Sequence, residues 1–236
     1  MNKKIGIFDS GIGGLTTLEA ITDLLPNEDY VYYADRKNNP YGNKSDEELY
    51  DIVNKVVRKL FKENVKLIVI ACNTATTKCI SKLREAYPNM LFVGTEPAIK
   101  VACDHNSKNT LVLATPSTIS SERTHELVEK NQKEGQSIIL LPCSGLADAI
   151  EQKKSDKILN ILKDILTPFE YANIDTVVLG CTHYPIIKET IQKYFKDANI
   201  VDGNKGVANR VKDLLKSKKL LNPSKEMGTI KFIKNE

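Results

Sequence analysis

The sequence predicts an α/β protein made of two similar parallel-sheet halves related by a pseudo-twofold, with the functional site in the cleft between them. Three observations lead there. Short apolar runs of strand length alternate with segments of helical period along the 236 residues, the pattern of strand, helix and parallel strand. The stretch Val65 to Thr74 aligns without gaps to Ile174 to His183, each a strand ending in Cys and two polar residues, and Lys4 to Ser10 aligns likewise to Asn109 to Thr115. Finally, the polar clusters of the chain fall where its strands end.

Taken in order, strands are expected at 4–8, 30–34, 66–71, 90–94, 109–114, 137–142, 175–180, 199–202 and 229–233. The clearest helix runs from Ser45 to Glu63. Ser45 and Glu48 make a capping box there, and Leu49, Ile52, Val53, Val56, Leu60 and Phe61 recur on one face. The chain is long enough for one large domain or two small ones. The repeats divide it into a first half at 1–95 and a second at 96–205, each flavodoxin-like, with 206–236 packing back on the first.

Composition excludes several classes of function. At 41% hydrophobic and 27% charged residues the chain has the balance of a packed globular protein, which disordered and collagen-like sequences lack. A net charge of +4, no Trp and scattered Lys argue against a nucleic-acid partner, which would call for massed basic residues beside stacking aromatics. No apolar stretch approaches the roughly 20 residues of a spanning helix, so no membrane partner is expected. Met1-Asn2-Lys3-Lys4 leads directly into the first strand without an apolar leader, so the chain is read as cytoplasmic. Five cysteines without a C-x-x-C pair predict neither a disulfide framework nor a metal site.

In open α/β sheets ligands bind beyond the carboxyl ends of the strands. Asp9-Ser10-Gly11, Cys72-Asn73-Thr74, Thr115 to Thr118 and Cys181-Thr182-His183 all stand there. A single buried cysteine is usually packing. Cys72 and Cys181, however, occupy equivalent places in the repeat, each before small polar residues that read as a helix N-terminus. Such a terminus lowers a thiol's pKa from about 8.5 toward neutrality, which suits a proton acceptor. Cys79, Cys103 and Cys143 lack that setting. The loop Gly11-Ile12-Gly13-Gly14 follows a strand, but Thr16 stands where a dinucleotide fingerprint needs its third glycine, and the phosphate-loop lysine is missing. Free backbone N–H groups at a helix start suit a small anion better.

The segments Phe8 to Gly14, Pro40-Tyr41-Gly42, Ala71 to Thr76, Gly94 to Pro97, Ala114 to Thr118 and Gly180 to Pro185 together resemble the glutamate racemases of the aspartate/glutamate racemase superfamily, in order and over about residues 5–205. The resemblance implies cofactor-free interconversion of L- and D-glutamate with a thiol on each face of the α-carbon. Cys72 then takes the proton from D-glutamate and Cys181 from L-glutamate. Asp9 and His183 are implied beside the two thiols, and Glu151 keeps the register of a glutamate that orients the histidine, although the lead-in from Cys143 departs from the usual pattern. Substrate contacts are implied for Asp9, Ser10, Tyr41, Gly42, Asn73, Thr74, Thr118, Thr182 and His183. The implied partner is glutamate alone, with a possible homodimer, and the product feeds peptidoglycan synthesis.

Aspartate is one methylene shorter, a difference worth only about 1–3 kcal/mol in a pocket. An aspartate racemase, or another amino-acid racemase of the superfamily, therefore remains an alternative. From a different class, so does a small-anion binder without turnover, although a binder has no use for two thiols aimed at one atom.

Overall fold

A computed structural model describes residues 3–235. Met1 and Asn2, on which the absence of a leader was partly read, lie outside the described residues. Nine strands are described: β1 Lys4–Asp9, β2 Tyr30–Ala34, β3 Val65–Ile70, β4 Leu91–Gly94, β5 Asn109–Ala114, β6 Ser137–Pro142, β7 Thr176–Leu179, β8 Asn199–Asp202 and β9 Ile230–Lys234. Every end lies within one residue of its sequence expectation. Runs of apolar and β-branched residues bounded by Gly, Asn and Asp leave little freedom in where a strand begins and stops.

The chain forms two compact units, one holding the residues up to Thr95 together with those from Asn204 on, the other Glu96–Gly203. The first contains a five-stranded sheet in the order β4-β3-β1-β2-β9, the second a four-stranded sheet in the order β6-β5-β7-β8. All pairings are parallel. Both sheets follow one rule. The first strand of each unit is central, the second lies on one side of it, and the third and fourth lie on the other. The strands equated by the sequence repeats, β1 with β5 and β3 with β7, are the pairs that occupy the same places in the two sheets.

Helices cover both faces of each sheet, which is why the central strands are apolar throughout and do not alternate. In β3, Ile68 and Ile70 pack on one side against Leu49, Val53 and Leu60 of the helix Asp46–Phe61 and Ile80 and Leu83 of the helix Asn73–Ala86. Leu67 and Val69 pack on the other side against Leu18 and Ile21 of the helix Leu15–Leu24 and Val207, Val211 and Leu215 of the helix Asn204–Ser217. The second unit repeats this, with Leu111, Leu113 and Val177 against Leu146, Ile150 and Leu162, and Val112 and Val178 against Ile99 and Ala102. Ser45 caps the helix Asp46–Phe61 by accepting a hydrogen bond from the Glu48 N–H at 3.2 Å. The Glu48 carboxylate pairs outward with Lys44 at 3.0 Å. No helix among the described residues is long and apolar enough to cross a membrane.

Candidate active site

In this strand order the topological switch point of each sheet lies between its first and third strands, where the connections leave in opposite directions and open a crevice at the carboxyl ends. In the first unit that places Asp9, closing β1, beside Cys72, which follows β3. The pairing of Phe8 with Ile70 and the hydrogen bond from the Ala71 N–H to the Phe8 carbonyl at 2.9 Å bring the two ends together. Cys72 is the N-cap of the 14-residue helix Asn73–Ala86, so the first turn of that helix and the positive end of its dipole lie at the thiol. Asp9 is fully buried. Its Oδ2 accepts from the N–H groups of Gly11 at 3.1 Å and Gly14 at 3.0 Å, and Tyr32 Oη donates to the Gly11 carbonyl at 2.9 Å. The glycine loop thus folds around a carboxylate. A Cβ on Gly14 would meet Asp9 Cβ at 2.5 Å and Tyr32 Oη at 2.8 Å. Ser10, Asn73 and Thr74 are buried at the same edge.

Tyr41 and Gly42 belong to a short 3-10 turn, Tyr41–Asn43, after β2. The Tyr41 ring shares a cluster with Cys72 and Phe8. Its hydroxyl donates to Asp35 Oδ2 at 2.7 Å. Burial, and then the Asp35 carboxylate, hold this phenol's pKa well above its ordinary range, so it stays a donor. Asp35 escaped the sequence reading. An aspartate directly after an apolar strand and ahead of Pro40-Tyr41-Gly42 was the available signal.

In the second unit the Gly180 N–H bonds the Leu113 carbonyl at 2.7 Å, so Cys181, after β7, stands beside Thr115, after β5. Thr115 caps the short helix Pro116–Ile119. Its Oγ1 accepts from the Thr118 N–H at 3.2 Å and bonds Thr118 Oγ1 at 3.0 Å. His183 Nδ1 lies 3.9 Å from Cys181 Sγ, and His183 Nε2 lies 2.8 Å from Glu151 Oε2, at the end of the helix Leu146–Glu151. Thr182 is buried alongside. Thiol, imidazole and carboxylate form a line, the third group fixing the second as in other acid/base sites.

One expectation fails here. Cys181 does not begin a regular helix. The Tyr184 N–H bonds the Cys181 carbonyl and the Ile186 N–H bonds the His183 carbonyl, each three residues back, giving the 3-10 turn Tyr184–Ile187 and only then the five-residue helix Lys188–Gln192. Pro185 within that turn has no N–H to offer an α-helical ladder. The helix-terminus argument therefore applies to Cys72 alone, and Cys181 has the imidazole in its place.

The other three cysteines are buried. Burial pushes the Cys79 and Cys143 thiols up to about 12, and raises Cys103 as well. At pH 8 these three are held as thiols, which alkylating reagents attack poorly. Iodoacetamide is expected to modify Cys72 or Cys181 first, with activity lost in step. Peptide mapping checks this, and labelling of Cys79, Cys103 or Cys143 ahead of them would contradict the assignment. Among the described residues no group of three or more His, Cys, Asp or Glu side chains is placed to hold a metal ion.

The family model described as Asp/Glu/Hydantoin racemase matches residues 18–211. The chain belongs to this racemase family. Within the family it is 41% identical to a glutamate racemase of Clostridium botulinum, over 98% of this chain and 91% of that protein. A glutamate racemase of Clostridium acetobutylicum is 40% identical over the same shares. Among solved structures, the glutamate racemase of Francisella tularensis in complex with D-glutamate superposes with a TM-score of 0.85 at 31% identity, covering 100% of this chain and 89% of that one. That of Bacillus anthracis gives a TM-score of 0.88 at 28% identity, covering 99% and 89%. A racemase must take a proton from one face of a carbon and return one to the other, and this family member carries a buried thiol at the switch point of each of its two sheets.

Proposed function

We propose that the chain is a glutamate racemase that interconverts the L and D enantiomers without a cofactor, using Cys72 and Cys181 as acid and base on opposite faces of the substrate's α-carbon. One observation carries this reading: two topologically equivalent strand ends each bear a buried cysteine, and each cysteine has a titratable neighbour, Asp9 for Cys72 and His183 for Cys181. A pair of binding sites would need neither thiol. The relatives named above, at about 40% identity over almost the whole chain, support glutamate as the substrate.

In the forward direction the Cys181 thiolate takes the α-proton of L-glutamate. The electron pair passes into the α-carboxylate as the carbon flattens, and the Cys72 thiol delivers its proton to the other face. The reverse reaction exchanges the roles. His183, oriented by Glu151, moves protons to and from Cys181, and Asp9 does so for Cys72. Ser10, Tyr41, Gly42, Asn73, Thr74, Thr118 and Thr182 hold the two carboxylates and the ammonium through N–H, hydroxyl and amide groups. D-Glutamate made in this way supplies peptidoglycan synthesis.

The test is to incubate the purified protein with each pure enantiomer of glutamate and of aspartate and to follow optical rotation. Glutamate of either hand should decay to the racemate, aspartate far more slowly. Dialysis against a chelator should leave the rate unchanged. Faster turnover of aspartate, no turnover of either, or a loss restored by zinc or pyridoxal phosphate would overturn the corresponding part of the reading.

A further inference from the structure

Asp35 is fully buried, yet its carboxylate meets more donors than any local turn requires. Tyr41 Oη reaches Oδ2 at 2.7 Å, Asn38 Nδ2 spans both oxygens at 2.9 and 3.0 Å, and Asn235 Nδ2 donates to Oδ1 at 2.6 Å. Asn235 follows β9, about 200 residues further along the chain, and reaches Asp35 because β9 pairs with β2 in register, Lys234 opposite Ala34. Its backbone brackets the same residue: the Asn235 N–H donates to the Ala34 carbonyl at 3.3 Å, and the Asn235 carbonyl accepts from the Lys37 N–H at 3.2 Å. A buried carboxylate is stable only when donors replace its lost water, and bonds to a charged acceptor are the strong ones.

We propose that Asn235 is a positioning residue for substrate binding: through Asp35 it fixes the Tyr41 hydroxyl and so sets the Tyr41–Gly42 backbone against the substrate. The inference rests on the preceding assignment of Tyr41 and Gly42 to the substrate. The Tyr41 hydroxyl is committed to Asp35 and its ring is packed in the core, so the backbone is the part left to meet a ligand. The Gly42 Cα is open on that segment, since a Cβ there would meet no atom within 4 Å. The turn therefore depends on its anchor for its place, and the anchor takes donors from Asn38 and Tyr41 near one end of the chain and from Asn235 near the other. Because both enantiomers present the same carboxylates, loosening the turn weakens both alike.

The experiment compares steady-state kinetics of the full chain with Asn235→Ala and Asn235→Asp in both directions, at pH 5 and pH 8. Loss of one bond to a buried carboxylate should raise KM for L- and D-glutamate about tenfold in Asn235→Ala, with kcat within about twofold. That rise should be the same at both pH values. In Asn235→Asp a second carboxylate faces Asp35 at pH 8 and the two repel. At pH 5 the new carboxyl takes up a proton more readily and can donate as the amide did, so its KM should return toward wild type. A purely structural role would lower the melting temperature and leave KM and its pH dependence unmoved, and that result overturns the inference. If Asn235→Ala fails to fold, the pH contrast in Asn235→Asp decides alone. Absence of glutamate turnover in the wild type would instead sink the racemase assignment, which separates the two failures.

Discussion

Replacing Cys72 or Cys181 by Ser is expected to lower racemisation by about 10²- to 10⁴-fold, the range that a positioned proton-transfer group contributes. A hydroxyl holds its proton far more tightly than a thiol, so the variant has no base on one face and a poor acid for the return step. Enantiomers are equal in energy, so their equilibrium constant is one, and kcat/KM must fall equally in both directions whichever cysteine is changed. The difference between the faces shows in isotope content instead. In heavy water, early in the reaction from L-glutamate, the D product should carry deuterium at the α-carbon while the remaining L substrate carries almost none. The thiol that took the proton can only give the same proton back before turnover. The reverse direction should mirror this. Early deuterium in the unreacted enantiomer, with either Ser variant near the wild-type rate, would refute two opposed thiols in favour of one mobile base.

Gly14→Ala should damage stability and rate together, because the added methyl falls against Asp9. Gly14 has φ −65°, which alanine adopts freely, so the backbone raises no objection. The obstacle is space: the added Cβ falls 2.5 Å from Asp9 Cβ and 2.8 Å from Tyr32 Oη. Relief means moving Asp9, whose Oδ2 holds the loop through the Gly11 and Gly14 N–H groups, or breaking the Tyr32 bond to Gly11. Overpacking of this kind costs about 1–3 kcal/mol. With Asp9 in the proposed role of moving protons at Cys72, a shift of about 1 Å can cost on the order of 10² in rate. Both losses should appear together, as a lower melting temperature and a rate reduced about a hundredfold. Gly42→Ala is the control for stability, because its Cβ has room. A Gly14→Ala protein with unchanged melting temperature and rate would show that the loop relaxes without disturbing Asp9.

Much of the candidate site was legible in the sequence because its residues sit at the ends of strands, and a strand end is a local event. Asp9, Cys72, Thr115 and Cys181 each close an apolar run of four to six residues. Asp35 was not legible for the opposite reason. Its partners are Tyr41 nearby and Asn235 at a distance, and no periodicity links an aspartate after one strand with an asparagine after another. The turn after Cys181 departs from the expected helix because Pro185 has no N–H to give, which leaves three-residue bonds as the workable ladder.

By itself the sequence determined where the nine strands lie, that the chain carries one unit twice, and which polar residues stand at strand ends. These follow from side-chain periodicity and from residues that stop a strand, and both act over a few neighbours. Only the tertiary structure decided the order of strands, and with it the adjacency of Asp9 to Cys72 and of Thr115 to Cys181. It alone placed β9 beyond β2, so that Asn235 reaches Asp35. Pairing in a parallel sheet joins segments separated by whole crossover connections, and the free energy that selects one order comes from burying both faces under helices, a property of the assembled layers rather than of any stretch of chain.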